Sequence, residues 1–240
     1  MGRVDVAAAT SAVSYWRVHI LVTNDDGVHA PGLAALAEAL GSWAADAPAG
    51  QDRAVTVVAP LANHSGASAA VGTFYERETI PYRTVRIGRA PDVPAYGIDG
   101  SPALAAIIGA LGTFGPPPDL VVSGINLGVN VGRSVLHSGT VGAALTAAQI
   151  GLSGLAVSLR SGVDPAPWET ASAAAVALLP VLARAPARTV LNLNVPSLPL
   201  RELRGIRYGK LGTARIIKAA EDARRRRPSP AGGGSGAGVR

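Results

Sequence analysis

Two adjacent carboxylates, Asp25 and Asp26, stand between Asn24 and Gly27 at the end of a short apolar run, Val18 to Val22. Pro31 then opens a helix-like segment. A buried strand that delivers two carboxylates to a glycine turn is where an α/β protein holds a hard cation. The same string also suits a plain turn, since Asn, Asp and Gly are common turn formers, so the pair alone does not decide. Two further polar loops bear on the choice. Leu61–Ala67 carries Asn63, His64 and Ser65, with Ser68 just beyond, and Ile125–Ser138 carries Asn126, Asn130, Arg133, His137 and Ser138, with Thr140 following. Three of the four His (His29, His64 and His137) fall in these loops.

Asp25 and Asp26 supply anionic oxygens, and Ser65 and Asn126 can add neutral ones. Such an all-oxygen set suits Mg²⁺, Mn²⁺ or Ca²⁺ rather than a structural zinc. Ser138-Gly139-Thr140-Val141-Gly142 ends a loop and opens a helix, so its N–H groups and hydroxyls can hold a phosphate; ordinary N-capping by Ser138 is the competing account. Asn126 and Asn130 also fit turn positions beside Gly124, Gly128 and Gly132, and each His fits a loop side chain without a catalytic role. A divalent cation beside an anion-binding helix start is the layout for metal-assisted phosphoryl hydrolysis. The chain has no Walker A loop, dinucleotide fingerprint, nucleophile elbow or HExxH string, which removes several other chemistries.

The elements that must position these loops alternate. Val18–Val22, Ala54–Ala59 (stopped by Pro60), Asp119–Gly124, Leu155–Ser158 and Val190–Asn194 are short apolar runs. Continuous apolarity suggests strands covered on both faces, as in a parallel sheet. Between them, Pro31–Leu40 puts Leu33, Leu36 and Leu40 on one helical face, with Gly41 as its stop. Ser101 and Pro102 read as the N-cap and first residue of a helix to about Leu111. Thr140–Gln149 and Trp168–Leu182 read as two more helices. Val71–Tyr75 and Tyr82–Ile87 are candidate antiparallel strands, with Ala95–Ile98 and Ile206–Leu211 as further ones. The alternation predicts a Rossmann-like, three-layer α/β/α sandwich with a mostly parallel sheet. Ligands of such sheets bind outside the carboxyl ends of the strands, and that is where all three polar loops fall.

Composition sets outer bounds. The 240 residues are 48% hydrophobic but only 4% aromatic, so the core must be built from Ala, Val, Leu and Ile. The expected organisation is an N-terminal extension over 1–17, the α/β domain over 18–218 and an Arg/Gly/Ser/Pro-rich disordered tail over 219–240. The net charge of +6 is split between that tail, with five Arg against Glu221 and Asp222, and a body in which 17 basic residues face 14 acidic ones. That is a weak stripe for a polyanion, so nucleic acid is not the expected partner. The absence of Cys excludes disulfides and thiolate metal sites. With no run approaching the roughly 20 apolar residues of a bilayer span, the expectation is a cytoplasmic protein with no membrane partner.

Several strings in fixed order carry a family resemblance. They are Thr23-Asn24-Asp25-Asp26-Gly27-Val28-His29-Ala30-Pro31-Gly32; Val58-Ala59-Pro60 with Asn63-His64-Ser65-Gly66-Ala67-Ser68; and Val121-Val122-Ser123-Gly124-Ile125-Asn126 with Gly128 and Asn130. Ser138-Gly139-Thr140-Val141, Ala156-Val157-Ser158 and Asn192-Leu193-Asn194-Val195-Pro196 complete them. Over about Val18 to Tyr208 the chain resembles the SurE family of survival-protein 5′-nucleotidases. The resemblance implies a metal-dependent phosphatase acting on nucleoside 5′-monophosphates, with 3′-monophosphates and polyphosphate as further candidate substrates. It places one divalent ion, Mg²⁺ or Mn²⁺, on Asp25, Asp26, Ser65 and Asn126, with Asp25 and Asp26 also catalytic. It places phosphate contacts on Asn63, Asn130, Ser138, Gly139 and Thr140, and it implies a homodimer or homotetramer. Three features depart from the family pattern. His64 stands where Arg is frequent, Ser101-Pro102-Ala103-Leu104-Ala105 lacks an Asp and a Cys common after the Pro, and an Arg run and Gly/Ser tail replace a long C-terminal arm. The alternative that follows from the last is a catalytically weak metal- and nucleotide-binding module.

Overall fold

In the computed structural model, which describes residues 17–212, the chain folds around a seven-stranded sheet. Strand β1 (Arg17–Thr23) lies at its centre, paired in parallel with β2 (Asp52–Pro60) on one side and β5 (Leu120–Leu127) on the other. The order runs β3 (Tyr82–Thr84), β4 (Ala95–Ile98), β2, β1, β5, β6 (Ser153–Leu159), β7 (Val190–Val195), and only the β3–β4 pair is antiparallel. Without the edge strand β3 this is the doubly wound order in which the sheet reverses direction of growth between its first and fourth strands, here β1 and β5.

Alternating residues of the central strands feed two cores. Ile20, Val22, Val57 and Val122 pack under α1 (Pro31–Ala45) and α4 (Trp168–Arg184), where Leu33, Leu36, Leu40, Leu179 and Leu182 complete the layer. Leu21, Val58 and Val121 face the other way, against Leu104–Ala106 of α2 (Pro102–Ala110) and Ala147 of α3 (Gly139–Gln149). Cover on both faces explains the mainly apolar runs of these strands; the buried polar pair within them, His19 Nε2 and Thr56 Oγ1, lies 3.0 Å apart across β1 and β2. The three-layer α/β/α expectation holds.

Several local expectations change. Gly41 does not stop α1, which continues to Ala45; a Cβ at Gly41 would lie 2.8 Å from Val93 Cγ2, so the glycine serves helix packing against the loop before β4. Val71–Tyr75 is no strand: it is loop and a 3-10 turn, Phe74–Glu76, and the antiparallel partner of β4 is only Tyr82–Thr84. Ile206–Leu211 has no regular structure and is largely exposed. Arg17, placed in the extension by sequence, is the first residue of β1. Strand β5 runs past Gly124 to Leu127, so Asn126 sits on a strand rather than in the loop, and Gly132–His137 forms a 3-10 turn. The Arg-rich tail lies outside the described residues.

Candidate active site

The carboxyl ends of β1, β2 and β5 and the start of α3 meet at the point where the sheet reverses. Strand β1 hands Asp25 to a turn closed by Asn24, whose side-chain Nδ2 donates to the Gly27 carbonyl at 2.9 Å. Asp25 is buried, at 3% exposure, and its main-chain oxygen accepts from the N–H of His64 at 2.7 Å, tying the loop after β2 to the loop after β1. Thr140 Oγ1, fully buried, donates to Asp25 Oδ1 at 2.6 Å. Helix α3 comes close enough for this because residue 139 is glycine: a Cβ there would stand 2.6 Å from Asp25 Cβ and 2.8 Å from Oδ2.

Asp26 is half-buried and receives the Ser65 hydroxyl on Oδ1 at 3.4 Å. Ser65 is set by Asn63, whose Oδ1 accepts the Ser65 N–H at 2.8 Å, leaving the Asn63 amide nitrogen free for a ligand. The loop is latched further on: Ser68 Oγ donates to the Leu136 carbonyl at 2.6 Å. Gly142 lets α3 pass beneath it, since a Cβ there would be 2.2 Å from the Ser68 carbonyl oxygen. Asn126 donates through Nδ2 to the Gly128 carbonyl at 2.7 Å, which leaves its Oδ1 as the available atom. Its partner in the β5–β6 ladder is Ser158.

At the start of α3, Ser138 Oγ accepts the Val141 N–H at 3.1 Å, so the capping account of Ser138 is correct for its side chain. The N–H groups of Gly139 and Thr140, the first two of the helix, have no intrahelical acceptor. The anion-binding capacity of this segment therefore resides in main-chain donors, while the Thr140 hydroxyl serves Asp25. His29 and His137 are exposed.

The electrostatics fit a cation. Burial first, and then the charge of Asp25, push the Asp26 carboxyl above the ordinary aspartate range, with the Ser65 hydroxyl pulling weakly the other way. Among the described residues the salt bridges are Arg77–Asp99 and Arg89–Glu38, so neither site carboxylate has a basic side chain beside it. No cluster of three or more His, Cys, Asp or Glu occurs among the described residues. A metal here would thus rest on two carboxylates and neutral oxygens, the donor set of a hard divalent ion.

Sequence reasoning gave no role to Asn192 and Asn194. Both donate through Nδ2 to the main-chain oxygen of Asn130, at 2.9 and 3.0 Å, and Asn194 Oδ1 accepts the Asn130 N–H at 2.8 Å. The Asn130 side chain in turn donates to Ser158 Oγ at 2.8 Å. The available signal was two Asn at i and i+2, hence on one face, at the carboxyl end of an apolar strand. Thr23 Oγ1, Ser123 Oγ and Asn24 Oδ1 are buried beneath the site without a protein partner.

Fold and site define a class: a doubly wound α/β protein whose carboxylate pair, without a basic partner among the described residues, lies beside a helix N-terminus at the switch point. A sequence model of the family described as "Survival protein SurE" matches residues 20–218. A "5′/3′-nucleotidase SurE" of Cronobacter sakazakii is 42% identical over 198 residues, 82% of this chain and 70% of that protein. A "5′-nucleotidase SurE" of Alkalilimnicola ehrlichii is 39% identical over 214 residues, 87% and 76% of the two chains. The crystal structure of the SurE protein from Aquifex aeolicus superposes with a TM-score of 0.63 at 32% identity, covering 79% of this chain and 70% of that one. The chain belongs to the SurE family.

Proposed function

We propose that this protein is a divalent-metal-dependent 5′-nucleotidase that hydrolyses nucleoside 5′-monophosphates to nucleoside and phosphate. The observation that carries the reading is the Asp25–Asp26 pair. Asp25 is buried against the N-terminus of α3 and Asp26 is half-buried beside it, with no basic partner for either among the described residues, in a chain about 40% identical to relatives named as SurE nucleotidases.

Asp25, Asp26, Ser65 Oγ and Asn126 Oδ1 would hold the cation, Mg²⁺ or Mn²⁺. When bound, it supplies positive charge that polarises a phosphoryl oxygen and lowers the cost of bringing a phosphate dianion to two carboxylates. The protein's own part is positioning. Thr140 fixes one oxygen of Asp25, and Asn63 fixes Ser65. The free N–H groups of Gly139 and Thr140, at the positive end of α3, face the phosphate. The second amide hydrogen of Asn130 and the amide of Asn63 complete its contacts, with Ser138 acting through its cap of α3. Water attacks phosphorus, the ester P–O bond breaks, and the proton that the water gives up ends on the departing nucleoside oxygen.

The test is phosphate release from nucleoside 5′- and 3′-monophosphates and from polyphosphate, with Mg²⁺ or Mn²⁺ and with chelator. Metal-dependent release from the 5′-monophosphates, reduced to background in Asp25→Asn, is expected. Folded, metal-supplied protein that releases no more phosphate than that variant would overturn the reading; calorimetric binding of metal and nucleotide in that case identifies a binding module. Assembly as a homodimer or homotetramer belongs to the same proposal and is read by light scattering. No helix among the described residues is long and apolar enough to cross a membrane.

A further inference from the structure

Asn130 is held more completely than any other residue of the site. Its main-chain oxygen accepts from two side-chain amides, Asn192 Nδ2 at 2.9 Å and Asn194 Nδ2 at 3.0 Å. Its main-chain N–H donates to Asn194 Oδ1 at 2.8 Å. Asn194 therefore grips both polar groups of one peptide segment, as a neighbouring strand would, using a side chain. The Asn130 Nδ2 then donates to Ser158 Oγ at 2.8 Å, and Ser158 is itself fully buried.

These anchors share one height in the sheet. Ser158 of β6 is the ladder partner of Asn126 in β5 and of Asn194 in β7. One residue before their carboxyl ends the three strands thus carry Asn126, Ser158 and Asn194 in one row, and Asn130 is docked onto that row. Between Asn126 and the 3-10 turn that leads to α3, Asn130 is flanked by Gly128 and Gly132, both at positive φ, where glycine leaves the backbone free to adopt several paths. The clamp fixes that path at Asn130.

We infer that Asn192 and Asn194 are positioning residues for phosphate recognition. They fix the Asn130 backbone so that its side chain, already committed by one hydrogen to Ser158, aims the other at the substrate phosphate. This rests on the reading above of Asn130 as a phosphate contact. Neither Asn192 nor Asn194 touches the carboxylate pair, so the cation shell keeps its affinity when they are changed. Outer partners of this kind are worth on the order of tenfold when removed.

The experiment compares Asn130→Ala, Asn192→Ala, Asn194→Ala and the doubles Asn130→Ala/Asn192→Ala and Asn130→Ala/Asn194→Ala. It measures KM and kcat for a nucleoside 5′-monophosphate, inhibition by inorganic phosphate, Mn²⁺ affinity by calorimetry, and thermal melting. Each single variant should raise KM and weaken phosphate inhibition on the order of tenfold, with Mn²⁺ affinity within about twofold of the parent. The doubles should be no worse than Asn130→Ala, because residues acting through one another are not additive. Asn194→Asp keeps the acceptor for the Asn130 N–H and should fall between parent and Asn194→Ala; it also serves if the alanine variants melt too low to assay. Parent-like KM and phosphate inhibition in the Asn192 and Asn194 variants, with Asn130→Ala impaired, overturns the positioning role alone. Parent-like behaviour of Asn130→Ala overturns both it and the reading beneath it. Losses that add in the doubles, or that track melting temperature alone, assign Asn192 and Asn194 a merely structural role and also overturn it.

Discussion

Thr140→Val isolates the bond on which the carboxylate pair depends. Valine keeps the branched shape of threonine and removes only the hydroxyl that donates to Asp25 Oδ1 at 2.6 Å in a fully buried setting. A hydrogen bond to a charged group contributes about 1.5–3 kcal/mol, and breaking it leaves a buried carboxylate oxygen without its donor. For a domain of this size that corresponds to a fall in melting temperature of roughly 3–12 °C. The assay is urea unfolding of metal-free protein in chelator, followed by Mn²⁺ titration of the folded state. Thr140→Ser is the control: it keeps the hydroxyl and drops one buried methyl, at a cost of about 0.5–1.5 kcal/mol, and should retain metal affinity. The valine variant should lose both stability and metal affinity, with little change in KM once metal is saturating. If Thr140→Val is as stable as Thr140→Ser and binds Mn²⁺ like the parent while KM rises, the hydroxyl serves the substrate and not Asp25, and the reasoning fails.

Other perturbations act on the same assembly. Because burial and Asp25 raise the Asp26 pKa above its unfolded value, the folded metal-free protein loses stability as pH rises through that raised pKa. Asp26→Asn should therefore melt higher than the parent in chelator near pH 7, the gap closing toward the ordinary aspartate range; an equal or lower melt at pH 7 refutes the electrostatic account. A divalent ion should stabilise the parent by about 2.7 kcal/mol at a hundred times its dissociation constant, measured as a melting shift, and should not stabilise Asp25→Asn. Gly142→Ala places a methyl 2.2 Å from the Ser68 carbonyl oxygen. It should cost about 1–3 kcal/mol by overpacking and, by displacing the loop that carries Ser65, weaken Mn²⁺ binding in the folded fraction; unchanged binding would separate Ser65 from that latch.

What the sequence made legible divides along physical lines. Val18–Val22 and Val121–Val122 read correctly as buried parallel strands because both faces of the sheet are covered, and that alone places Asp25 and Asn126 on one edge. The 71–75 segment misled because Val71, Phe74 and Tyr75 match strand propensity, yet Gly72 and the lack of a partner strand leave them in a loop and a 3-10 turn. Gly41 reads as a stop only if tertiary packing is ignored; Val93 claims that face of α1. Within the site, Ser138 and Thr140 were legible as residue types but not as atoms. A helix start can offer hydroxyls or main-chain N–H groups to an anion, and only the approach of α3 to Asp25 shows that both side chains are already engaged. The clamp on Asn130 spans more than sixty residues of sequence and had no local signature beyond a pair of Asn on one strand face.

The strand order also bears on the proposed cation. In dinucleotide-binding folds of this order the first loop is glycine-rich and its helix presents main-chain N–H groups to a pyrophosphate. Here that helix, α1, begins at Pro31, which has no N–H, and the loop before it carries Asp25 and Asp26. The first loop therefore repels a phosphate by itself. Donors for the anion come instead from α3, across the switch point, where Gly139 allows the helix start to press against Asp25. Positive helix end and negative carboxylates are thereby set side by side, and positive charge between them would lower the cost of bringing a phosphate in. A divalent ion held on the carboxylates, as proposed, would do that and would tie substrate binding to metal binding through the architecture of two adjacent loops.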